Sequence, residues 1–587
     1  MLRVRRLGLV TYAEAFDLQH SLARRAADDY LLLLEHPHTY TLGVHADPAH
    51  VLRDPASVGA TLFRTDRGGD VTYHGPGQLV AYPIVTLQDD PGAGPLHVRR
   101  IEQVVIDALG DLGVEASRYE GYPGVWVGVG GPAPRKIAAI GVRTLRVEDG
   151  RRRSLHGVAL NVDCDLTMFG HIVPCGIAEY AVTSLRAEGS SACMDRVVDA
   201  LVERAAAVFG TGGVDRAEVQ AGRTGPGATF GRTVSSSSER PLLRRLRQAG
   251  TDPDAGLALR DRKPEWLRVP ARMGEGYLSL GRRLHDLGLV TVCEEAGCPN
   301  IFECWADGTA TFMVNGSRCT RACGFCLVDT RHPLPLDPTE PDRVAQAVEQ
   351  LRLSHAVVTC VARDDLADGG AAAIAETVRA IRRRSPGTAV EVLVSDCKGV
   401  AASLQLVFDA RPDVLNHNVE TVARLQRAVR PSAGYARSLS VLARAADAGL
   451  TVKSGLMVGL GESEEEVIST LADLASVGVS IVTIGQYLRP SERHLPVARW
   501  WTPAELDALA AAGRELGLVH VEASPLTRSS YHAKQAAEAA WVSVPVRTAR
   551  GDKATSLAAC SAPAGEVLRP GSPVPVPQRV GSPVRVR

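Results

Sequence analysis

Six of the twelve cysteines in the chain crowd between Cys293 and Cys326, and they fall into two triplets. CEEAGCPNIFEC spaces Cys293, Cys298 and Cys304 as C-x(4)-C-x(5)-C; CTRACGFC spaces Cys319, Cys323 and Cys326 as C-x(3)-C-x(2)-C. Three thiolates hold three irons of a four-iron cluster and leave the fourth open to chemistry or to an unusual ligand. Zinc is the competing reading, but structural zinc takes four nitrogen or sulfur ligands in paired knuckles, which these triplets do not make. Clustering of this kind favours metal in a reducing compartment over disulfides.

A further cysteine stands in a different setting. In GHIVPCGI, Cys175 lies between Pro174 and Gly176, a constrained turn able to present a thiol, although a lone cysteine is also ordinary core material. RKIAAIGVR carries Lys136 into an apolar strand, where desolvation would draw its pKa towards that of a working base; a lysine snorkelling to the surface is the alternative. RGGDVTYHGPGQ, starting at Arg67, sets a glycine pair and a polar cluster before an apolar strand, and glycine there serves either a tight turn or a close approach of backbone to ligand. HGVALNV supplies another strand that opens on small residues.

The elements that must position these groups divide the 587 residues in two, since one hydrophobic core rarely organises so long a chain. Residues 1–213 alternate helical and strand patterns and end on the amphipathic run MDRVVDALVERAAAVFG; the charged stretch RTLRVEDGRRRSL reads as a hairpin tip. Residues 214–252, rich in Gly, Arg, Ser and Thr, read as a flexible linker with a short helix at LLRRLRQAG. From 253 to 545 six strand-like runs, TFMV, HAVVTCV, AVEVLVS, DVLNHNV, TVKSGLMVGL and SIVTIGQYL, alternate with helices and predict a parallel, barrel-like sheet. Residues 546–587, aperiodic and rich in Pro, Val, Arg and Gly, predict a disordered tail. The fold class is therefore two-domain α/β. Lysine plus arginine equals aspartate plus glutamate at 66 each, so no global field favours nucleic acid or an anionic membrane. The longest apolar runs, such as Leu31–Leu34 and Ile481–Ile484, fall far short of the roughly 20 residues that span a bilayer. The start, MLRVRRLGLVTYAEAF, lacks the apolar core of a signal peptide, and a cytoplasmic location is expected.

Taken together, RGGDVTYHGPGQ, KIAAIGVR, HGVALNV, IVPCGI and VTSL resemble, in order and spacing, the octanoyltransferase family of lipoate biosynthesis. The resemblance implies the fold of biotin and lipoate protein ligases. It makes Cys175 the acceptor of octanoate from acyl carrier protein, as a thioester, and Lys136 its activating partner. Substrate contacts would come from Arg67, Gly68, Gly69, Asp70, Val71, Thr72, Tyr73 and His74, from Ala139, Ile140 and Gly141, and from Gly157, Val158 and Ala159. Exchange between thioesters is nearly isoenergetic and needs no ATP. An apolar slot gains about 0.8 kcal/mol per buried methylene, enough to measure an eight-carbon chain.

The second triplet follows ATFMV and has an aromatic residue before its last cysteine, and it resembles the radical S-adenosylmethionine enzymes. With the first triplet, RDDLADGG, NHNVET, VRPSAGY, TVKSGLMVGLGE, IGQYLRPSERHLPV and RSSYHA, the resemblance narrows to the lipoyl synthase family, from about Lys263 to Pro545. It implies a partial (β/α)6 TIM-like barrel with N- and C-terminal extensions, two [4Fe–4S] clusters and S-adenosylmethionine. Cys319, Cys323 and Cys326 would hold the S-adenosylmethionine cluster. Cys293, Cys298 and Cys304, with Ser530 of RSSY (Ser529 being the neighbouring alternative), would hold an auxiliary cluster that supplies sulfur. Asp364, Asp365, Gly369, Gly370, Asn416, Asn418, Glu420, Arg430 and Lys453 are expected at strand ends, where a parallel barrel meets its ligands. The sequence carries no nicotinamide or flavin fingerprint, so a ferredoxin or flavodoxin is the expected reductant. The lipoyl domains of 2-oxoacid dehydrogenase complexes and the H protein of glycine cleavage are the expected acceptors. The linker of about 40 residues would keep the two sites near millimolar effective concentration. The competing reading joins an ATP-dependent lipoate or biotin ligase-like domain to an iron–sulfur redox sensor; IVPCGI argues against its first part, and the barrel pattern is unexplained by its second.

Overall fold

In the computed structural model, which describes residues 1–177, 179–219, 240–268, 282, 291, 300–301 and 311–543, two sheets organise the chain. The main path of the first, ten-stranded sheet runs Val214–Glu218, Leu2–Leu9, Asp29–Glu35, Gln78–Ile84, Arg152–Asn161, Arg135–Arg146, Tyr122–Val127, Ser117–Tyr119. The strand Asp29–Glu35 shows why both faces are covered. Its side chains alternate, and both sets are apolar. Leu31 and Leu33 enter a core with Ile101, Val105 and Leu201, from the helices Ala93–Asp111 and Met194–Phe209. Tyr30, Leu32 and Leu34 enter a second core that begins with Leu18 and Leu22 of the helix Tyr12–Arg25 and continues into the other half of the chain. A smaller sheet of Thr61–Arg64, Thr39–Leu42 and Val71–His74 carries the RGGDVTYH segment. The charged stretch closes a hairpin between Arg135–Arg146 and Arg152–Asn161, as the sequence predicts.

The linker expected at 214–252 begins instead with a strand. Val214–Glu218 pairs in parallel with the first strand, Leu2 opposite Val214 through Arg6 opposite Glu218. Its sequence, VDRAE, carries no apolar run because it is an edge strand. The helix Pro241–Gln248 also has partners: Leu242 packs against Gly324, and the Arg424 guanidinium donates to the Ala249 carbonyl beyond its end. Residues 220–239, and the tail expected at 546–587, lie outside the described residues.

The second sheet is wholly parallel: Thr311–Val314, His355–Cys360, Ala389–Leu393, Val414–Asn416, Thr451–Val458, Ile481–Gln486, His520–Ser524. Six of these strands are the expected ones; the seventh, HVEAS, is too polar to stand out. Parallel strands require crossovers, and helices such as Ala371–Arg384 and Glu464–Ser476 supply them. Among the described residues no helix is long and apolar enough to cross a membrane.

The halves are clasped together. The Arg5 Nε lies 2.8 Å from both carboxylate oxygens of Asp473, and the hydroxyls of Tyr30 and Tyr435 donate to the same carboxylate at 3.2 and 2.9 Å. Arg5 also reaches Asp215 at 2.8 Å. Around this buried centre Glu14 meets Arg437, Asp17 meets Arg444, and Asp447 meets both Arg24 and Arg25.

Candidate functional site

Cys175 occupies the turn Pro174–Gly176 with φ 56° and ψ 20°, a left-handed conformation that costs a non-glycine residue energy and clusters at functional positions. Gly176 follows, also at positive φ, and a Cβ there would come within 2.8 Å of Asp70 Oδ2. Asp70 in turn holds His50 Nδ1 at 2.5 Å, and the His50 carbonyl accepts from Val173 N at 2.8 Å. Asp70, expected among the substrate contacts, thus stands with His50 against the turn that presents the thiol.

Beyond the turn the chain forms Ala181–Val182, which pairs in parallel with the strand Arg135–Arg146, Val182 opposite Lys136; Thr183 N donates to the Lys136 carbonyl at 2.9 Å. The segment bearing the thiol and the strand bearing the lysine are therefore joined through the backbone. The Lys136 ammonium, on a side chain almost wholly buried, lies 4.8 Å from the centre of the Trp126 ring.

The remaining motif residues converge around this pair of strands. Ala139, Ile140 and Gly141 face Ala159, Val158 and Gly157 in register. Gly68 N donates to the Val142 carbonyl at 3.2 Å, and a Cβ on Gly141 would stand 3.0 Å from the Gly68 oxygen, so the glycine turn lies directly on the strand. Arg67 donates to the Thr41 carbonyl and hydroxyl and to the Gly68 carbonyl, bracing that turn. Val71, Thr72, Tyr73 and His74 form a buried strand; burial pushes the His74 imidazole well below its ordinary range, and Gln78 Oε1 meets its Nδ1 at 2.8 Å. Sequence reasoning missed Asp66, which takes His156 Nε2 at 2.7 Å and His20 Nε2 at 2.9 Å. Burial opposes its charge, but those hydrogen bonds more than offset this and hold the carboxyl far below the usual range. The signal was adjacency: Asp66 immediately precedes RGG, and His156 immediately precedes Gly157.

In the second half, Cys319, Cys323 and Cys326 lie on the loop after Thr311–Val314. Ala362 N and Arg321 N both point at Cys319 Sγ, at 3.3 and 3.4 Å. Arg321, inside the triplet, grips Asp364 at 2.7 and 2.8 Å and Asp396 at 2.6 Å, tying the loop to the ends of two strands. Its hydrogen bonds hold the Asp364 carboxyl below the usual range. His494 meets the Cys326 carbonyl at 2.9 Å, and Gly324 N donates to the Val429 carbonyl at 2.8 Å. Burial pushes the free thiols of Cys323 and Cys326 up to about 12 and about 11.

Cys293, Cys298 and Cys304 lie outside the described residues. Between the last two in sequence, Asn300 donates to the Leu526 carbonyl at 2.7 Å, two residues before Arg528 of RSSY. Asn418 Nδ2 donates to Ser529 Oγ at 2.6 Å, and Ser530 follows, half-buried. Asn416, the last residue of its strand, and Lys453 both bond to Glu391, the lysine at 3.0 Å and the asparagine at 3.1 Å, and all three are fully buried inside the barrel. Glu391, a lone acid in AVEVL, was missed because its partners come from other strands.

The pattern described as lipoyl protein ligase A/B catalytic domain matches residues 11–206, and that of the radical SAM superfamily matches 313–474. A lipoyl synthase of Rubrobacter xylanophilus is 55% identical over 278 residues, 47% of this chain and 87% of that protein. The chain belongs to the lipoyl synthase family. A lipoyl synthase of Kineococcus radiotolerans, 50% identical over 302 residues, spans 51% of this chain and 91% of its own length. A bipartite lipoate protein ligase from Thermoplasma acidophilum overlaps 37% of this chain and 85% of its own, at 18% identity and a TM-score of 0.30. The two matched patterns make the chain a fusion, in which a lipoate ligase or octanoyltransferase catalytic domain precedes the radical domain of a lipoyl synthase.

Membership in the family brings [4Fe–4S] clusters and S-adenosylmethionine, and the second triplet fits such a cluster. The sulfurs of Cys323 and Cys326 sit where burial keeps free thiols protonated until iron replaces the proton, and two backbone N–H groups stand ready for the sulfur of Cys319. Among the described residues no three His, Cys, Asp or Glu side chains close on a single point. A cubane does not ask for that, since each cysteine takes a different iron.

Proposed function

We propose that the chain builds lipoyl groups in two steps on one acceptor. The N-terminal half moves octanoate from acyl carrier protein to Cys175 and then to the ε-amine of a lysine on a lipoyl domain. The C-terminal half then inserts sulfur at octanoyl carbons six and eight. The observation that carries the reading is the register of Lys136 against Val182, which ties the lysine strand to the segment presenting Cys175. In the loading step the Cys175 sulfur forms a bond to the thioester carbon and the carrier thiol leaves; in the second the lysine amine displaces Cys175. Lys136 handles charge at the sulfur. The turn held by Asp70 and His50 keeps the thiol at a half-exposed position that a carrier-borne thioester can reach.

In the second half Cys319, Cys323 and Cys326 would hold the cluster that binds S-adenosylmethionine, and Cys293, Cys298 and Cys304 with Ser530 the auxiliary one. When bound, these groups supply a radical able to break unactivated C–H bonds, and two sulfur atoms. Arg321 fixes the triplet loop through Asp364 and Asp396, and Asn418 fixes the RSSY loop. The acceptors are the lipoyl domains of 2-oxoacid dehydrogenase complexes and the glycine cleavage H protein, a ferredoxin or flavodoxin supplies electrons, and the cytoplasm supplies the reducing conditions.

Anaerobic incubation with octanoyl carrier protein, lipoyl domain, S-adenosylmethionine and reductant, followed by intact-mass measurement, tests all of this. Octanoylated and then lipoylated domain is the expected sequence of products. A strict need for ATP in the first step would move the N-terminal half to the ligases, and failure to cleave S-adenosylmethionine under reduction would overturn the second assignment.

A further inference from the structure

Lys136 has an unusual neighbourhood for a nearly buried ammonium. Among the described residues it forms no ion pair; the nearby carboxylates are engaged elsewhere, Glu188 with Arg135 and Glu102 with Arg118. What it faces is aromatic. Trp126 stands directly opposite Lys136 across two antiparallel strands, and the pairing shifts register between Lys136 and Ala138. Such a bulge re-aims a side chain. Gly124 makes the room: with φ +120°, its Cβ position lies 3.5 Å from Lys136 Cε and 2.6 Å from the Ala138 oxygen.

Three tyrosines pack around Trp126. The rings of Tyr119, Tyr122, Trp126 and Tyr180 all lie within 5.1 to 5.9 Å of one another. The Trp126 indole N–H donates to the Tyr122 carbonyl at 3.0 Å, which locks the ring with its face towards the lysine. The hydroxyls of Tyr119 and Tyr180 share a hydrogen bond at 3.0 Å. Tyr180 belongs to the stretch between the Cys175 turn and Ala181–Val182, so one ring of the cluster comes from the segment that follows the nucleophile.

We propose that this four-ring box positions Lys136 for acyl transfer, with Trp126 as the positioning residue and Tyr180 as the latch that couples the lysine to the Cys175 segment. The inference deepens, and rests on, the reading of Cys175 and Lys136 given above. A carboxylate would fix the ammonium equally well but would neutralise it. An aromatic face holds a cation by its quadrupole and leaves the full charge available to an anionic sulfur. A tyrosine from the nucleophile's own segment closes the box only when that segment is docked, so the charge and the thiol are brought to working position together.

The test follows alkylation of Cys175 by iodoacetamide against pH, read by mass spectrometry of its peptide, in the full-length chain with clusters reconstituted anaerobically. Lys136→Met should move the midpoint up by about one pH unit, a tenfold loss of thiolate at fixed pH. Trp126→Leu should move it in the same direction, Trp126→Phe should restore most of the wild-type profile, and Tyr180→Ala should give an intermediate shift. The double variant K136M/W126L should shift no further than K136M. Melting curves run alongside report folding, and Tyr180→Ala and Trp126→Phe carry the test should Trp126→Leu not fold. A shift with K136M but a wild-type profile in the folded box variants overturns the positioning role alone, leaving a box that only packs. An unchanged profile in K136M overturns the underlying pairing of lysine and cysteine.

Discussion

The cysteines proposed to react in the two halves live under opposite conditions. Cys175 stands half-exposed on a left-handed turn, held at the backbone by His50 and joined by strand pairing to its lysine. Cys323 and Cys326 are packed into a barrel mouth that pushes their free thiols up to about 12 and about 11. On the proposed function, Cys175 must meet a thioester carried on another protein, which requires it to reach the surface with its chemistry already in its side chains. A site built to receive metal and contain radicals does the reverse: its side chains are inert alone, and their work is to exclude water and fix a loop. The difference shows that cysteine by itself says little; exposure and neighbours decide whether a thiol is a reagent or a socket.

The sharpest way to break that contrast is to cross the two activities. Cys175→Ala should abolish octanoylation yet leave sulfur insertion into a pre-octanoylated domain intact. Replacing Cys319, Cys323 and Cys326 together with Ala should stop S-adenosylmethionine cleavage and leave octanoylation intact. Near wild-type octanoylation by the first variant, or cleavage by the second, would dissolve the division of labour. Replacing Cys293, Cys298 and Cys304 should separate the socket's two tasks: S-adenosylmethionine is still cleaved but no lipoyl product forms, and Ser530→Ala should resemble this more weakly. Sulfur insertion by the triple variant without added sulfide would exclude the auxiliary cluster as donor.

The clasp between the halves probes how independent they are. Asp473→Ala leaves Arg5 buried without its main counter-charge and should cost about 3–5 kcal/mol, measured by denaturant unfolding, with both activities falling together. Arg5→Met with Asp473→Leu should recover much of that loss. If Asp473→Ala leaves octanoylation and stability untouched, the halves are mere neighbours. The smallest effect is on pH dependence. Burial lowers His36, His97 and His417 to about 4, against about 6.5 in an unfolded chain. Between those values the unfolded chain binds more protons, so the stability these residues confer is complete above about 6.5 and lost as pH falls to about 4. His97 has no partner for either ring nitrogen, and His97→Phe should flatten that decline in melting temperature. An equally steep decline in the variant would locate the sensitivity elsewhere.

What was legible in the sequence was what is contiguous. The cysteine spacings, the KIAAIG and HGVAL strands and the glycine turn announce themselves within a dozen residues, and the fold sets Ala139–Gly141 against Gly157–Ala159 without surprises. What escaped depends on partners far along the chain. VDRAE looks like linker until Leu2–Leu9 lies beside it; Glu391 looks like an intrusion until Lys453 meets it; Asp473 looks like a solvent-facing helix position until Arg5 arrives. His50 carried no spacing signal at all, since only the folding of its loop brings it to Asp70.

The separation of Arg5 from Asp473 by 468 residues also sets a timetable for synthesis. At roughly 5–20 residues per second, the ribosome delivers the carboxylate between about 20 and 90 seconds after the guanidinium. For the first 210 residues of that interval the earliest strand has neither Asp215 nor Asp473 to complete its electrostatics, and for the remainder it still lacks Asp473. The nascent N-terminal half therefore waits, partly assembled and with an apolar helix face uncovered, for the last third of the barrel to be translated. Chaperone capture during elongation, read by ribosome profiling of chaperone-bound chains, should end as the segment around Asp473 clears the exit tunnel.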